Sequence, residues 1–233
     1  MRLDISGANV VQYIVGYYCQ ILRGWLTVIA VIDYGAGNLR SVVQGLVRLG
    51  ASPVVTRDAA TIAVADGLVL PGVGAFGDAM AALRQADVIP AMTAAVTAGV
   101  PFLGICLGMQ MLFSDSDESP GVCGLNWLPG HVVSLRQLPN AENVKIPHMG
   151  WNTLEPHRAS SLLAGIAAED YFYFVHGYAC APDDEADILT STSYGSPFCS
   201  SVQRGNLFGV QYHPEKSGDV GAQMLRNFLK LCP

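Results

Sequence analysis

Val28-Ile29-Ala30-Val31-Ile32, followed by Asp33-Tyr34-Gly35-Ala36-Gly37-Asn38, is an apolar run broken by a glycine turn, and the other elements are read outward from it. An apolar, β-branched run without polar alternation describes a strand covered on both faces. After the turn, Leu39, Val42, Val43, Leu46 and Leu49 recur at helical spacing, and Gly50 closes that helix. Strand, turn and helix in this order open a parallel α/β unit.

The alternation continues through Val54-Val55 and Leu68-Val69-Leu70 as strands, helical stretches at 80–83 and 89–97, and a strand at 102–105. Beyond it, residues 132–135, 171–175, 188–191, 199–202 and 207–212 read as strands joined by short turns, expected to be antiparallel additions to the sheet. A last segment, 220–231, places Val220, Met224, Leu225, Phe228 and Leu231 on one side for docking against the sheet. The expected architecture is α/β: a parallel sheet flanked by helices, with added antiparallel strands, forming one domain over 27–233.

Composition narrows the partners. The chain has 233 residues, 51% hydrophobic and 14% charged, with a net charge of −6, which gives a sizeable core and no basic footprint for nucleic acid. Its six cysteines are scattered without a C-x-x-C pair, which fits a reducing compartment and argues against a zinc site. Residues 1–26 are an extension whose apolar stretch, 10–22, is interrupted by Gln12 and Gln20, too short for a bilayer and without a small-residue cleavage site. No membrane anchor is expected.

Three places carry chemistry. Gly104-Ile105-Cys106-Leu107-Gly108 stands where a buried strand gives way to a helix continuing through 111–113, a nucleophile elbow with sulfur as the attacking atom. Small flanking residues permit the sharp turn, and a helix N-terminus favours a thiolate and aims the Leu107 N–H at a developing oxyanion. The plainer alternative is one more buried thiol. Gln211-Tyr212-His213-Pro214-Glu215 ends the last strand, and His213 and Glu215, two apart in an extended segment, share a face so that the carboxylate can orient the imidazole. By itself this could be a solvated turn; paired with the Cys106 elbow it supplies the base. Pro71-Gly72-Val73-Gly74-Ala75-Phe76 follows a strand directly and can turn backbone N–H groups into the crevice as an oxyanion hole. A phosphate cradle there lacks its Lys, and Gly35-Ala36-Gly37 lacks the third glycine of a dinucleotide fingerprint, where Arg40 stands instead.

Taken in order, the glycine loop, G-I-C-L-G-M-Q and Y-H-P-E resemble the class I (triad) glutamine amidotransferases. The segments 33–39, 71–74, Lys145-Ile146-Pro147-His148-Met149-Gly150-Trp151-Asn152, Tyr173-Phe174-Val175-His176 and His213-Pro214-Glu215-Lys216-Ser217 look like the branch that forms the glutaminase subunit of imidazole glycerol phosphate synthase in histidine biosynthesis. The resemblance runs from about residue 27 to the C-terminus. It implies a flavodoxin-like sheet and glutamine hydrolysis with Cys106 as nucleophile, His213 as base and Glu215 as orienting acid. It further implies Gly74 and Leu107 at the oxyanion, and Gly72, Gln110 and His176 at the substrate. No cofactor and no metal are implied. The implied partner is a cyclase subunit in a cytoplasmic heterodimer, met through His148, Met149 and Trp151, which receives the ammonia; neither nucleic acid nor membrane is expected. In this family the glycine loop is only partly set for catalysis until the cyclase is loaded. Two departures stand out. Gly177 occupies a position where Ser is usual, and residues 1–26 precede the family's ordinary opening, which Leu26-Thr27-Val28-Ile29 matches with Leu in place of Met. A start at Leu26 from a non-standard initiation codon would explain the second.

Overall fold

A computed structural model describes residues 27–35 and 37–232, so the expectations about residues 1–26 fall outside the described residues. The first half alternates as β1 (Val28–Ile32), α1 (Leu39–Arg48), β2 (Ser52–Thr56), α2 (Ala59–Ala63), β3 (Gly67–Gly72), α3 (Phe76–Gln85), α4 (Ile89–Thr97), β4 (Phe102–Cys106) and a single turn of helix, α5 (Leu107–Gln110). The second half is mostly strand: β5 (Asp115–Ser116), β6 (Gly130–Ser134), β7 (His148–Asn152), β8 (Glu155–Pro156), β9 (Phe172–His176), β10 (Tyr178–Pro182), β11 (Ile188–Tyr194), β12 (Ser196–Arg204) and β13 (Leu207–Val210). Helix α6 (Gly218–Leu229) closes the described chain.

The apolar run of β1 is buried on both faces for the reason expected. Ile29 and Val31 pack with Val42 and Leu46 of α1 and Leu225 and Phe228 of α6, while Ala30 and Ile32 pack on the opposite side with Ile62, Met80 and Met92 from α2, α3 and α4. Helix α1 ends as Gly50 takes φ +84, and the Gly50 and Ala51 N–H groups donate back to the Val47 and Leu46 carbonyls at 3.0 and 3.2 Å.

The sheet runs β2-β1-β3-β4-β13-β12-β10-β6-β5. Strand β13 departs from the antiparallel expectation: it pairs in parallel with β4, Leu207 opposite Phe102 through Val210 opposite Ile105, and antiparallel with β12 on its other edge. It is thus the last parallel strand of the flavodoxin-like order and the seam to the antiparallel wing. Its four residues, all buried, share the unbroken apolar pattern of β1, which marks a strand covered on both faces. Strands β12, β10 and β6 are antiparallel neighbours, with β10, which the sequence did not mark as a strand, standing between the two that it did.

The strand expected at 171–175 does not join the main sheet: as β9 it pairs with β7 in a separate two-stranded sheet, His148 opposite His176 and Trp151 opposite Tyr173. Strict alternation puts His148, Phe172, Phe174 and His176 inward and leaves Met149 and Trp151 outward, 63% and 54% exposed. Among the described residues, no helix is long and apolar enough to cross a membrane.

Candidate active site

Cys106 is the last residue of β4, and its backbone takes φ +56 and ψ −111, a conformation that a residue bearing a side chain adopts only when its surroundings enforce it. Glycines on both sides supply the enforcement. A methyl on Gly108 would come within 1.9 Å of the Leu70 carbonyl oxygen, one on Gly104 within 2.6 Å of the Gly108 oxygen, and one on Gly72 within 2.5 Å of the Gly108 nitrogen. Their hydrogen-only side chains let α5 seat directly on β3, which holds Cys106 at the carboxyl end of β4. The helix itself is shorter than the sequence suggested: α5 ends at Gln110, and residues 111–113 make turns rather than a continuation. One turn carries little macrodipole.

His213 follows β13 and is pinned by its N–H to the Tyr173 carbonyl at 2.9 Å. Its Nδ1 lies 2.8 Å from Glu215 Oε1, both side chains almost fully buried. The pairing does not come from extended alternation. Residues Pro214–Lys216 form a 3₁₀ turn, with Pro214 in a first-turn position that needs no N–H, and the turn swings the carboxylate back to the ring. The Ser217 hydroxyl donates to the His213 carbonyl at 2.7 Å and locks this turn. Burial opposes charge on the imidazole, but Cys106 and Glu215 outweigh it and hold the His213 pKa up at about 9. Its Nε2 is buried without a hydrogen-bond partner, and Cys106 is the thiol whose charge acts on it.

These groups meet in a cleft of about 320 Å³ at the strands' carboxyl ends, within the range of small-molecule sites. Cys106, His213, Leu107, Gly74, Gln110 and His176 all line it, so most of the residues singled out in the sequence converge there. Gly74 has φ +96, in the left-handed region that favours glycine, and a Cβ there would meet nothing within 4 Å. Gly72 is not on the cleft wall; it sits opposite Cys106 in the β3–β4 register and serves the close approach just described. Gln110 is no ordinary helix-surface residue: its Nε2 donates to the Tyr178 carbonyl at 3.1 Å and to Gln211 Oε1 at 3.0 Å.

His148 does not reach the surface as expected of an interface residue. It is 2% exposed, stacks on Tyr194 and Phe174, and bonds His176 from behind, Nδ1 to Nε2, at 3.1 Å. The inward phase of β7 decides this, with Met149 and Trp151 taking the outward one. His176 Nδ1 donates to the Tyr178 carbonyl at 2.8 Å, so its Nε2 accepts from His148 and the tautomers of both rings are set. Burial pushes the His148 pKa down to about 4 and that of His176 to about 3. Both are neutral at pH 7. Gly177, where the family pattern has Ser, lines the cleft and a Cβ there would meet nothing within 4 Å.

Two lining residues were given no role in the sequence. Glu118, in the short acidic loop, accepts from the Phe76 N–H at 2.7 Å, while the neighbouring Ser119 hydroxyl accepts from Gly77 N–H at 2.9 Å; together they cap α3 and tie that loop to the glycine loop. Lys216, next to Glu215, also lines the cleft, and its ammonium lies 5.9 Å from the centre of the Tyr173 ring, which in turn meets Trp151 edge-on at 5.9 Å. The outward aromatic face of β7 and β9 therefore borders the cleft. A charge next to a motif residue was the available signal for Lys216; Glu118 had none, because only folding brings its loop to α3.

The model of the glutamine amidotransferase class-I family matches residues 30–232. Imidazole glycerol phosphate synthase subunit HisH of Moorella thermoacetica is 50% identical over 203 residues, covering 87% of this chain and 94% of that protein. The protein of the same name from Methanothermobacter thermautotrophicus is 46% identical over 203 residues, covering 87% and 98%. Among solved structures, a putative GMP synthase protein from Thermoplasma acidophilum superposes with a TM-score of 0.65 at 19% identity, covering 89% of this chain and 94% of that one. PurLQS from Thermotoga maritima gives 0.68 at 20% identity, covering 88% and 98%. At these identities the structural likeness speaks for the fold.

Proposed function

The chain belongs to the class-I glutamine amidotransferase family, with the activity of the glutaminase subunit of imidazole glycerol phosphate synthase, and we propose that Cys106, His213 and Glu215 carry out its chemistry. The observation that carries this assignment is the convergence, in one cleft, of a strained thiol at the end of β4 and a carboxylate-oriented imidazole after β13. The Cys106 thiolate attacks the side-chain carboxamide of glutamine, and backbone N–H groups at Leu107 and Gly74 receive the oxyanion. His213, kept protonated by its neighbours, gives its Nε2 proton to the departing ammonia. The same nitrogen then takes a proton from the water that cleaves the γ-glutamyl thioester, releasing glutamate and restoring Cys106. Glu215 fixes the tautomer throughout. The Glu118 carboxylate on the cleft wall suits the α-ammonium of the substrate.

The partner that uses the ammonia is assigned as a cyclase subunit in a heterodimer. Met149 and Trp151, exposed beside the cleft mouth, have the character of interface anchors. Free thiols at all the described cysteines suit a reducing compartment, and we assign the cytoplasm. Gly74, with nothing packed on it, is the hinge by which a docked partner would finish the oxyanion site. The test is ammonia and glutamate release from glutamine, by this chain alone and with the cyclase and its ribotide ligand. A rise of about a hundredfold or more on adding the loaded cyclase, abolished in Cys106→Ala, is expected if binding completes one oxyanion contact. Activity equally high without the cyclase would overturn the partner assignment, and activity surviving in Cys106→Ala would overturn the nucleophile.

A further inference from the structure

Gln211 lies two residues before His213, is fully buried, and has no part in the chemistry described so far. Its N–H is clamped to the Ser200 carbonyl of β12 at 2.9 Å, so the side chain projects from a fixed backbone. That side chain makes two hydrogen bonds: Oε1 accepts from Gln110 Nε2 at 3.0 Å, and Nε2 donates to the Cys106 sulfur at 3.6 Å. Which end of the amide faces the sulfur is decided elsewhere. The Tyr178 carbonyl can only accept, so the Gln110 group 3.1 Å from it is the NH₂; the second hydrogen of that NH₂ goes to Gln211, which must present its oxygen there and its nitrogen to Cys106.

We infer that Gln211 is a positioning residue for the reaction, whose carboxamide donates to the Cys106 sulfur and stabilises its thiolate form while its oxygen holds Gln110 with only Oε1 left to meet the substrate. The inference rests on Cys106 being the nucleophile. A thiolate is the better acceptor, so a donor fixed on the sulfur favours the ionised form, and the hydrogen bond supplies this independently of the imidazole. Gln110, with both N–H bonds committed, can only accept from a bound amino acid. A donor of its own, such as the α-ammonium, is what it would recognise.

The test is the pH profile of Cys106 alkylation by iodoacetamide in the full chain bound to its cyclase, read on the Cys106 peptide with the exposed Cys123 as an internal reference. The titratable groups bearing on Cys106 are His213 with Glu215 behind it, Tyr34, Cys180, and across the cleft His176, Glu118 and Lys216; all are kept in the variants. Gln211→Met and Gln211→Leu both remove the two bonds without adding a charge beside the sulfur. In each, the alkylation midpoint is expected to rise by about one pH unit, with kcat for glutamine falling by about tenfold. On the wild-type chain, the ¹⁵N-labelled Gln211 side-chain amide is expected to shift as Cys106 titrates and to stay still in Cys106→Ala, a reading that needs no Gln211 variant to fold. An unchanged midpoint in a folded variant, or an amide signal indifferent to pH, would overturn the inference while leaving the nucleophile standing. A wild-type Cys106 no more reactive than Cys123 would sink both.

Discussion

His213 and His176 are buried in the same cleft wall and differ in almost everything burial was supposed to settle. His213 has Glu215 on one ring nitrogen and the Cys106 thiol acting on the other, and is held up at about 9. Burial takes His176 down to about 3, against the bond from its Nδ1 to the Tyr178 carbonyl, with His148 and His213 adding to the fall. Burial lowers both; at His213 the partners overcome it, and at His176 they do not. One imidazole is thereby charged, as the acid and base proposed for it requires, and the other is a neutral strut bonded to the Tyr178 carbonyl.

If that contrast is right, removing the charged member is far more damaging to turnover than removing the neutral one. His213→Leu is expected to lower kcat for glutamine in the cyclase complex by roughly four orders of magnitude or more, measured as ammonia release, because acid and base disappear together. Glu215→Gln sharpens the comparison by keeping a hydrogen-bonding group and deleting its charge. We expect kcat to fall by roughly two orders of magnitude. Since Glu215 is one of the groups raising His213, the alkaline limb of kcat/KM should also move down from the region of pH 9, and a limb that stays in place would show that Cys106 alone sets the imidazole's affinity for protons.

The smallest effect is on stability. His148 and His176 have folded pKa values below 6.5, so their unfolded forms take up protons first as the pH drops. Stability is complete above about 6.5 and declines as the pH falls towards 4, by an expected ~2–4 kcal/mol between pH 7.5 and 5, which urea unfolding at the two values would measure. His213 has the opposite sign: its raised pKa adds stability below about 6.5 that is lost as the pH rises through about 9. His148→Asn should flatten the acid side and leave the alkaline side alone.

The sequence made the parallel half readable because β1, β3 and β4 are unbroken apolar runs, and nothing but burial on two faces calls for that pattern. The same pattern was present in Leu207-Phe208-Gly209-Val210, yet proximity to other short strands concealed that it pairs in parallel with β4. The residues proposed as nucleophile and base were legible because a glycine-framed thiol and a His-Pro-Glu turn are local signals. Gln211 and Glu118 were not, since an amide 105 residues from the thiol and a carboxylate 42 residues from Phe76 acquire meaning only when the sheet is assembled. His148 was misplaced because its motif named a segment, while the phase of β7 determines which residues of that segment face outward.

The three glycines around Cys106 also bear on how this site can change over time. The obstacle to a side chain at Gly72, Gly104 or Gly108 includes main-chain atoms: the Gly108 nitrogen, the Gly108 oxygen and the Leu70 oxygen respectively. Trimming a neighbouring side chain elsewhere therefore cannot make room, and a compensating substitution has nothing to compensate with. The antiparallel wing can drift by exchanging one side chain against another; the ground under the nucleophile has no such currency, and only the original residue restores it.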